Sequence, residues 1–508
     1  MTVHGMLETT VARRPDAPFL THGDHTWTYR DLDRAADRVA RFLASRNVER
    51  GDRVGLLMEN GFEYTAAFFG SLRAGACLVA LNNLNPPESH AHHLTDSGAV
   101  VLLTRAAQAR RLPEIVIDAS SLRVVALDRA DPNWELESEL VIGEDLLDGP
   151  DFKPPATGAD DLALILYTSG STGNPRGVTL THGNLVANTN QIQAYLELTA
   201  DDSVCCVLPF HYSFGNSLLL THVNCGGRVV VDNRFAFPQK VLETLEQERC
   251  TGFSGVPSHY AILASRTDFL KRRWPHLRYL SQAGGAMSPE LTRRLHADLP
   301  GSIRLLVMYG QTEASARLAW LPPDRLPDKI GSIGVAIPGV TLTVKRDDGS
   351  VCDEGETGEI VADGPNIMQG YWNDSVETAE VLFDDGLHTG DLAYRDRDGF
   401  IFIVGRAKTM IKAGANRVSP RQIEDVILEL EVVAEAAVFG VPDELLGEAI
   451  VACLVPVPGA TIDQKTVLLH CRNHLASFKI PSAVHILSDL PRNASGKTDV
   501  RVLVSTYS

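Results

Sequence analysis

Tyr167-Thr168-Ser169-Gly170-Ser171-Thr172-Gly173-Asn174-Pro175-Arg176-Gly177-Val178 lies between two apolar runs, Leu162 to Leu166 before it and Val178 to Leu180 within and after it. Glycines at 170, 173 and 177 allow positive φ angles and close approach of backbone to a ligand. Thr168, Ser169, Ser171 and Thr172 offer hydroxyl donors, and Arg176 adds fixed positive charge. The composition suits a loop wrapped around a polyphosphate. Both flanks read as strands, so the order is strand, loop, strand, which excludes a GxxxxGK[ST] loop running directly into a helix. A solvated linker is the competing reading, but linkers seldom sit between two apolar runs.

Five further segments stand in a fixed order behind this loop: Leu208 to Gly215 (LPFHYSFG), Gln282 to Met287 (QAGGAM), Tyr309 to Ala314 (YGQTEA), His388 to Leu392 (HTGDL) with Val404 to Lys408 (VGRAK), and Pro491 to Lys497 (PRNASGK). Together with the loop they resemble the motifs of the AMP-forming adenylating enzymes, the superfamily of acyl-CoA synthetases, peptide-synthetase adenylation domains and luciferases. The resemblance covers nearly the whole chain and is nearest in pattern to stand-alone acyl-CoA ligases. It implies an acid–thiol ligase: a small carboxylic acid and ATP, with Mg2+, give acyl-AMP and pyrophosphate, and a pantetheine thiol then takes the acyl group. The acceptor thiol belongs to coenzyme A or to the phosphopantetheine of an acyl carrier protein.

The resemblance also implies roles. Gly170, Ser171, Thr172 and Gly173, with Thr168, Ser169 and Arg176, are expected around the phosphates, and Gly284, Gly285 and Ala286 along the adenine and acyl wall. Tyr309 stacks on adenine, with Gly310 and Gln311 beside it, while Thr312 contacts the α-phosphate and Glu313 holds magnesium with Thr168. These tasks suit a π face, a hydroxyl and a hard oxygen ligand. Asp391 binds the ribose hydroxyls and Arg406 reaches ribose and phosphate. His211, counted with the catalytic set, positions the carboxylate. Lys497 bridges carboxylate and α-phosphate, where one ammonium lowers the repulsion of two anions. Lys408 is the hinge, and Gly414 with Ala415 line the thiol tunnel.

Three positions depart from the family's habit. Arg176 stands where Lys is usual, exchanging a point charge for a planar fork. Ala415 stands where pantetheine-binding members have Gly. Tyr212 replaces the Asp that pairs with an α-ammonium group, which lowers the expectation of an α-amino acid substrate and leaves a β-amino or aryl acid open. Phe210, Phe214 and Leu218 favour an apolar acyl or aryl tail. Arg317, at the end of the Tyr309 to Arg317 pocket segment, is expected at the surface or in an ion pair, with a polar group of the substrate as the alternative it could face.

At 508 residues the chain predicts at least two domains. A net charge of -17 and a pI near 5.4 disfavour nonspecific binding to nucleic acid or anionic membrane. Eight cysteines form no CxxC pair, and Cys205-Cys206 read as reduced core residues. With no apolar run of ~18 residues and no signal-like start, a soluble cytoplasmic protein without membrane insertion is expected, as monomer or homodimer. The pattern predicts an α/β fold: residues 1–404 a large domain of helix-covered sheets with a β-rich part from about 330, residues 405–408 a hinge, and residues 409–508 a small mobile α+β lid. Thr28 is expected to cap a helix with Leu32, Ala35, Ala36, Val39 and Leu43 inward. The segment 108–160 reads as a peripheral excursion. Three other functions share the motifs: an adenylation enzyme loading only a carrier protein in trans, an oxygen-using luciferase, and a noncatalytic nucleotide-binding scaffold. Retention of Glu313, Asp391 and Lys497 argues against the last.

Overall fold

In the computed structural model the Leu162–Ser169 run is a strand, and it pairs antiparallel with Pro175–Thr181 so that Thr168 opposes Arg176. The described residues are 1–105, 108, 122–126, 152–169, 175–413, 416–443, 447–457, 459–492 and 498–508. Gly170, Ser171, Thr172, Gly173, Gly414, Ala415 and Lys497 lie outside them.

The hairpin belongs to a seven-stranded sheet in the order Gly370–Tyr371, Pro175–Thr181, Leu162–Ser169, Cys77–Ala80, Arg53–Leu57, Ala99–Thr104, Arg123–Ala126. From Leu162–Ser169 onward the neighbours are parallel. The last strand falls inside the segment read as an excursion. Four residues at a sheet edge are too short a run to register as periodic.

A second sheet has nine strands, in the order Val335–Ala336, Ala319–Leu321, Arg304–Tyr309, Tyr279–Gln282, Gly252–Gly255, Ser203–Cys206, Arg228–Val231, Pro18–His22, His25–Thr28. Its six strands from Arg304–Tyr309 to Pro18–His22 are parallel. Such strands are covered on both faces, and Cys205, Cys206, Val229, Val230, Leu305 and Leu306 lie buried in them. Cys205 and Cys206 are fully buried and free.

The Tyr29–Ser45 helix begins at a capping box: the Thr28 hydroxyl accepts from the Asp31 N–H, and Asp31 Oδ2 accepts from the Thr28 N–H at 2.8 Å. Its expected stripe is buried. It packs on Phe62–Arg73 so closely that a Cβ on Gly70 would stand 2.5 Å from Val39 Cβ. Every residue of Phe62–Arg73 except Glu63 is buried, the mark of a helix inside a core and not on a surface. One apolar cluster joins this layer to both sheets.

Beyond residue 340 the strands form a five-stranded sheet from Thr341–Lys345, Gly358–Asp363, Leu382–Phe383, Gly386–Arg395 and Ile401–Arg406. A fourth sheet contains Ile411–Ala413, Asn416–Val418, Val433–Asp443, Gly447–Pro456 and Ala483–Ile486, covered by the helices Pro420–Ile427, Gln464–His474 and Val500–Tyr507. The fold is mixed α/β, as the sequence implies. Among the described residues no helix is long and apolar enough to cross a membrane.

Gly334 couples the nine-stranded sheet to the third sheet. It has φ +89°, its carbonyl accepts from Ile401 N at 3.0 Å, and a Cβ there would lie 1.9 Å from Trp320 O. Gly334→Ala is therefore expected to destabilise the large domain by about 2 kcal/mol or more, through both strain and a backbone clash, read as a lower thermal midpoint.

Candidate active site

The parallel strands Ser203–Cys206, Gly252–Gly255, Tyr279–Gln282 and Arg304–Tyr309 run in register, with Gly252 opposite Tyr279 and Tyr279 opposite Arg304. The segments that follow them leave the sheet at one edge: 207–212, 256–257, 283–287 and 310–314. Crevices at the carboxyl ends of parallel strands are where open α/β sheets bind ligands. Gly284, Gly285 and Ala286 are exposed there, and Gln282 Nε2 donates to Gly285 O at 2.7 Å, holding the turn.

Asp391 meets this edge from the third sheet. Its backbone opposes Arg406 across the strand pair, and Arg406 Nε donates to Asp391 Oδ1 at 3.0 Å. The other oxygen accepts from the Tyr309 hydroxyl at 2.6 Å. Burial, and then the Asp391 charge, push the phenol well above its ordinary pKa, so Tyr309 stays a donor. Each carboxylate oxygen keeps a lone pair for a further donor, which suits two adjacent hydroxyls. Tyr309 thus has an anchored hydroxyl that the stacking role alone does not require.

Glu313 follows in a short 3-10 turn, Thr312–Ala314. Tyr371 donates to Glu313 Oε1 at 3.0 Å, and among the described residues Oε2 takes no hydrogen bond. One hard oxygen is therefore available, which fits a magnesium ligand. Arg176 lies with its guanidinium 5.4 Å from the Tyr371 ring centre and forms a short ion pair with Glu377. The cation expected at the phosphates is thus already partnered by a carboxylate. Thr168 donates to Arg176 O at 3.5 Å, at the mouth of the loop. Neither Tyr371 nor Glu377 is reached by reading the motifs in order; the Gly370-Tyr371-Trp372 run, aromatic after glycine, was the available signal.

The Leu208 to Gly215 segment divides between core and site. Phe210 is fully buried with its ring 5.5 Å from Tyr64, so it packs the interior and does not line an acyl tail, correcting the expectation from its aromatic character. His211 is 5% exposed, and burial lowers its pKa to about 3. It is a neutral imidazole, and its Nε2 has no hydrogen-bond partner among the described residues. The Tyr212 hydroxyl accepts from Asn82 Nδ2 at 2.8 Å. Lys408 is exposed in the 3-10 turn Ala407–Thr409.

Arg317 overturns its expectation. It is 2% exposed, has no ion pair among the described residues, and lies 4.0 Å above the Phe214 ring. A reading by residue type places arginine outside because exposure is the common case; the stacking partner, 103 positions away, is not visible along the chain.

A buried carboxylate held by a phenol and a guanidinium, a second carboxylate with a free oxygen, and a Gly/Ser/Thr hairpin loop define a nucleotide-using, adenylate-forming enzyme. A family model described as AMP-binding enzyme matches residues 7–372, and one for the AMP-binding enzyme C-terminal domain matches residues 422–497. The chain belongs to this family of AMP-binding enzymes. It is 36% identical over 487 residues to a feruloyl-CoA synthase of an Amycolatopsis species, covering 95% of this chain and 94% of the relative. It is 33% identical over 485 residues to an indoleacetate–CoA ligase of Aromatoleum aromaticum, covering 94% and 93%. The structure of o-succinylbenzoate CoA synthetase from Bacillus subtilis, in complex with the acyl-adenylate OSB-AMP, superposes with TM-score 0.86 at 28% identity over 97% of this chain and 96% of that one. The activity is that of an AMP-forming acid–thiol ligase, with ATP and Mg2+.

Tyr309→Phe removes one of the two groups orienting Asp391. The expected result is an ATP KM raised about five- to tenfold, on the order of 1 kcal/mol, with kcat within about twofold. Steady-state kinetics at saturating acid reads it.

Proposed function

We propose that this chain joins a carboxylic acid with an apolar, aryl-type body to coenzyme A through an enzyme-held acyl-AMP. The observation that carries the reading is the Tyr309–Asp391–Arg406 grip, with Glu313 following Tyr309 in the chain and held by Tyr371 of the seven-stranded sheet, whose ring Arg176 faces. It offers a ribose acceptor and a metal ligand on either side of one short loop. The aryl assignment is supported by relatives named for ferulate and indoleacetate. Phe214 and Leu218, on the helix that begins at Ser213, supply apolar surface.

In the first step the substrate carboxylate attacks the α-phosphorus and pyrophosphate leaves. The obstacle is repulsion between anions, so the residues act by charge and position. Lys497 supplies an ammonium between the carboxylate and the α-phosphate, and Thr312 donates to that phosphate. His211, neutral and buried, donates a hydrogen bond without bringing a charge that would bind the carboxylate too firmly. Magnesium, when bound, supplies positive charge to the phosphate oxygens, and Glu313 with Thr168 would hold it. Gly170, Ser171, Thr172 and Gly173 close over the β- and γ-phosphates. A phosphate arriving beside Arg176 competes with Glu377 for its guanidinium.

In the second step the thiolate attacks the acyl carbon and AMP leaves with the bonding pair. Lys497 then has no task, and rotation of residues 409–508 about the 405–408 hinge at Lys408 brings Gly414 and Ala415 to the site. Two observations support such a division. The apolar clusters of the fourth sheet contain no residue before Ile411, and the two matched family segments leave 373–421 between them.

The experiment is pyrophosphate release with a panel of aryl and alkyl acids, with and without coenzyme A. Lys497→Ala should slow adenylate formation at least a hundredfold yet still convert chemically supplied acyl-AMP to thioester; equal loss of both steps would remove this assignment.

Ala415→Leu tests the tunnel. It should spare pyrophosphate exchange and reduce thioester formation by tenfold or more, since overpacking a narrow passage excludes the incoming arm. Thioester formation at the parent rate would place the tunnel elsewhere.

A further inference from the structure

Among the described residues three side chains that are ordinarily cationic are buried: Arg73, Lys329 and Arg317. Arg73 lies 2.5 Å from Asp33, while Lys329 reaches Asp396 at 2.7 Å and Asp398 at 2.5 Å. Arg317 is the deepest of the three, yet no carboxylate among the described residues pairs with it. Its Nη1 donates to Ala316 O at 3.2 Å, its Nε has no partner, and its plane rests on Phe214. The Tyr195 hydroxyl beside it lies 3.0 Å from Met308 Sδ. Scarcity of acids is not the reason, because the chain carries 64 Asp and Glu against 47 Lys and Arg.

An unpaired buried charge is costly, and one aromatic face offsets only part of the lost hydration. Burial pulls the Arg317 pKa below that of a solvated arginine, and the Tyr195 hydroxyl beside it offsets only part of that. The position of Arg317 bears on what its counter-ion is. Leu318 N donates to Tyr309 O at 2.9 Å, closing the loop that starts at the adenylate-side tyrosine. Gly310 packs against the loop's far end so tightly that a Cβ would stand 2.7 Å from Arg317 Cα. Phe214, the ring beneath the guanidinium, lies three residues after His211. Arg317 therefore ends the loop that starts at Tyr309 and stacks on the helix that follows His211, joining two segments expected to bound the acid.

We propose that Arg317 receives a second carboxylate at the far end of the acid substrate, so that the enzyme prefers dicarboxylic acids and activates them at one end. The planar guanidinium fork matches a carboxylate in two parallel hydrogen bonds, and Phe214 holds it flat for that contact. The inference rests on the ligase reading and narrows its substrate class. The apolar body of the acid lies over Phe214, and the distal charge neutralises Arg317.

The test uses the full chain with ATP and Mg2+ and pairs of acids of equal length, the distal group being carboxylate in one and carboxamide in the other. Pyrophosphate release should favour the diacid in kcat/KM at least about tenfold in some pair, mostly through KM, as expected for a buried charge-assisted contact. Arg317→Gln should bring the ratio close to one, and Arg317→Lys should keep part of it. Equal use of the two members throughout the panel by the parent enzyme, or an unchanged ratio in Arg317→Gln, overturns the proposal and leaves the ligase reading standing. The parent ratio needs no variant, so a misfolded Arg317→Gln does not shield the idea. Calorimetric binding of the same acids without ATP reads the contact apart from chemistry. Diacid binding lost in Arg317→Gln, with no pyrophosphate released by any acid, would sink the ligase reading alone; neither binding preference nor release would sink both.

Discussion

One buried carboxylate ties the molecule together. Asp391 belongs to the third sheet, its partner Tyr309 ends a strand of the second, and Arg406 ends the strand that runs toward the hinge. A hydrogen bond of 2.6 Å and a charged one of 3.0 Å join three elements that share no strand pairing across the second and third sheets at this point. On the proposed reading, the direction of Asp391 would fix where ribose hydroxyls lie, and with them the α-phosphate relative to Thr312 and the magnesium position relative to Glu313. The rest of the site is built outward from it.

Much of this was legible because the chemistry is written in short contiguous runs. The hairpin about Tyr167 to Val178, the capping box at Thr28, the strand leading to Tyr309 and the inward stripe of the first long helix all depend on residues within one or two turns of each other. Local propensity and periodicity carry such features. What escaped was set by distant partners. Tyr371 meets Glu313 58 positions away. Phe210 is claimed by the core because Tyr64 lies against it, which no property of the motif announces. Arg317 was assigned by the habit of its residue type, and the habit fails where a ring 103 positions away covers the guanidinium.

The Arg176–Glu377 pair has a similar lesson for a familiar substitution. Lysine at that position would present a mobile point charge, whereas arginine spans from Glu377 to the Tyr371 face and so connects the phosphate hairpin to the segment that positions Glu313. The exchange is more than a change of cation. It couples Arg176 to Glu313 through the Tyr371 side chain.

The fourth sheet keeps its interior to itself: its apolar clusters start at Ile411, and the clusters of the large domain stop by Ile403. Among the described residues, one polar contact at the junction is a short hydrogen bond from Ser419 Oγ to Val404 O. A body with a private core can be re-seated without wetting its inside, so the free-energy difference between seatings is set by a handful of exchangeable polar contacts. Differences of that size are within reach of a bound nucleotide or a departing pyrophosphate. On the proposed reading, the orientation of the small body would report which ligand the large one holds.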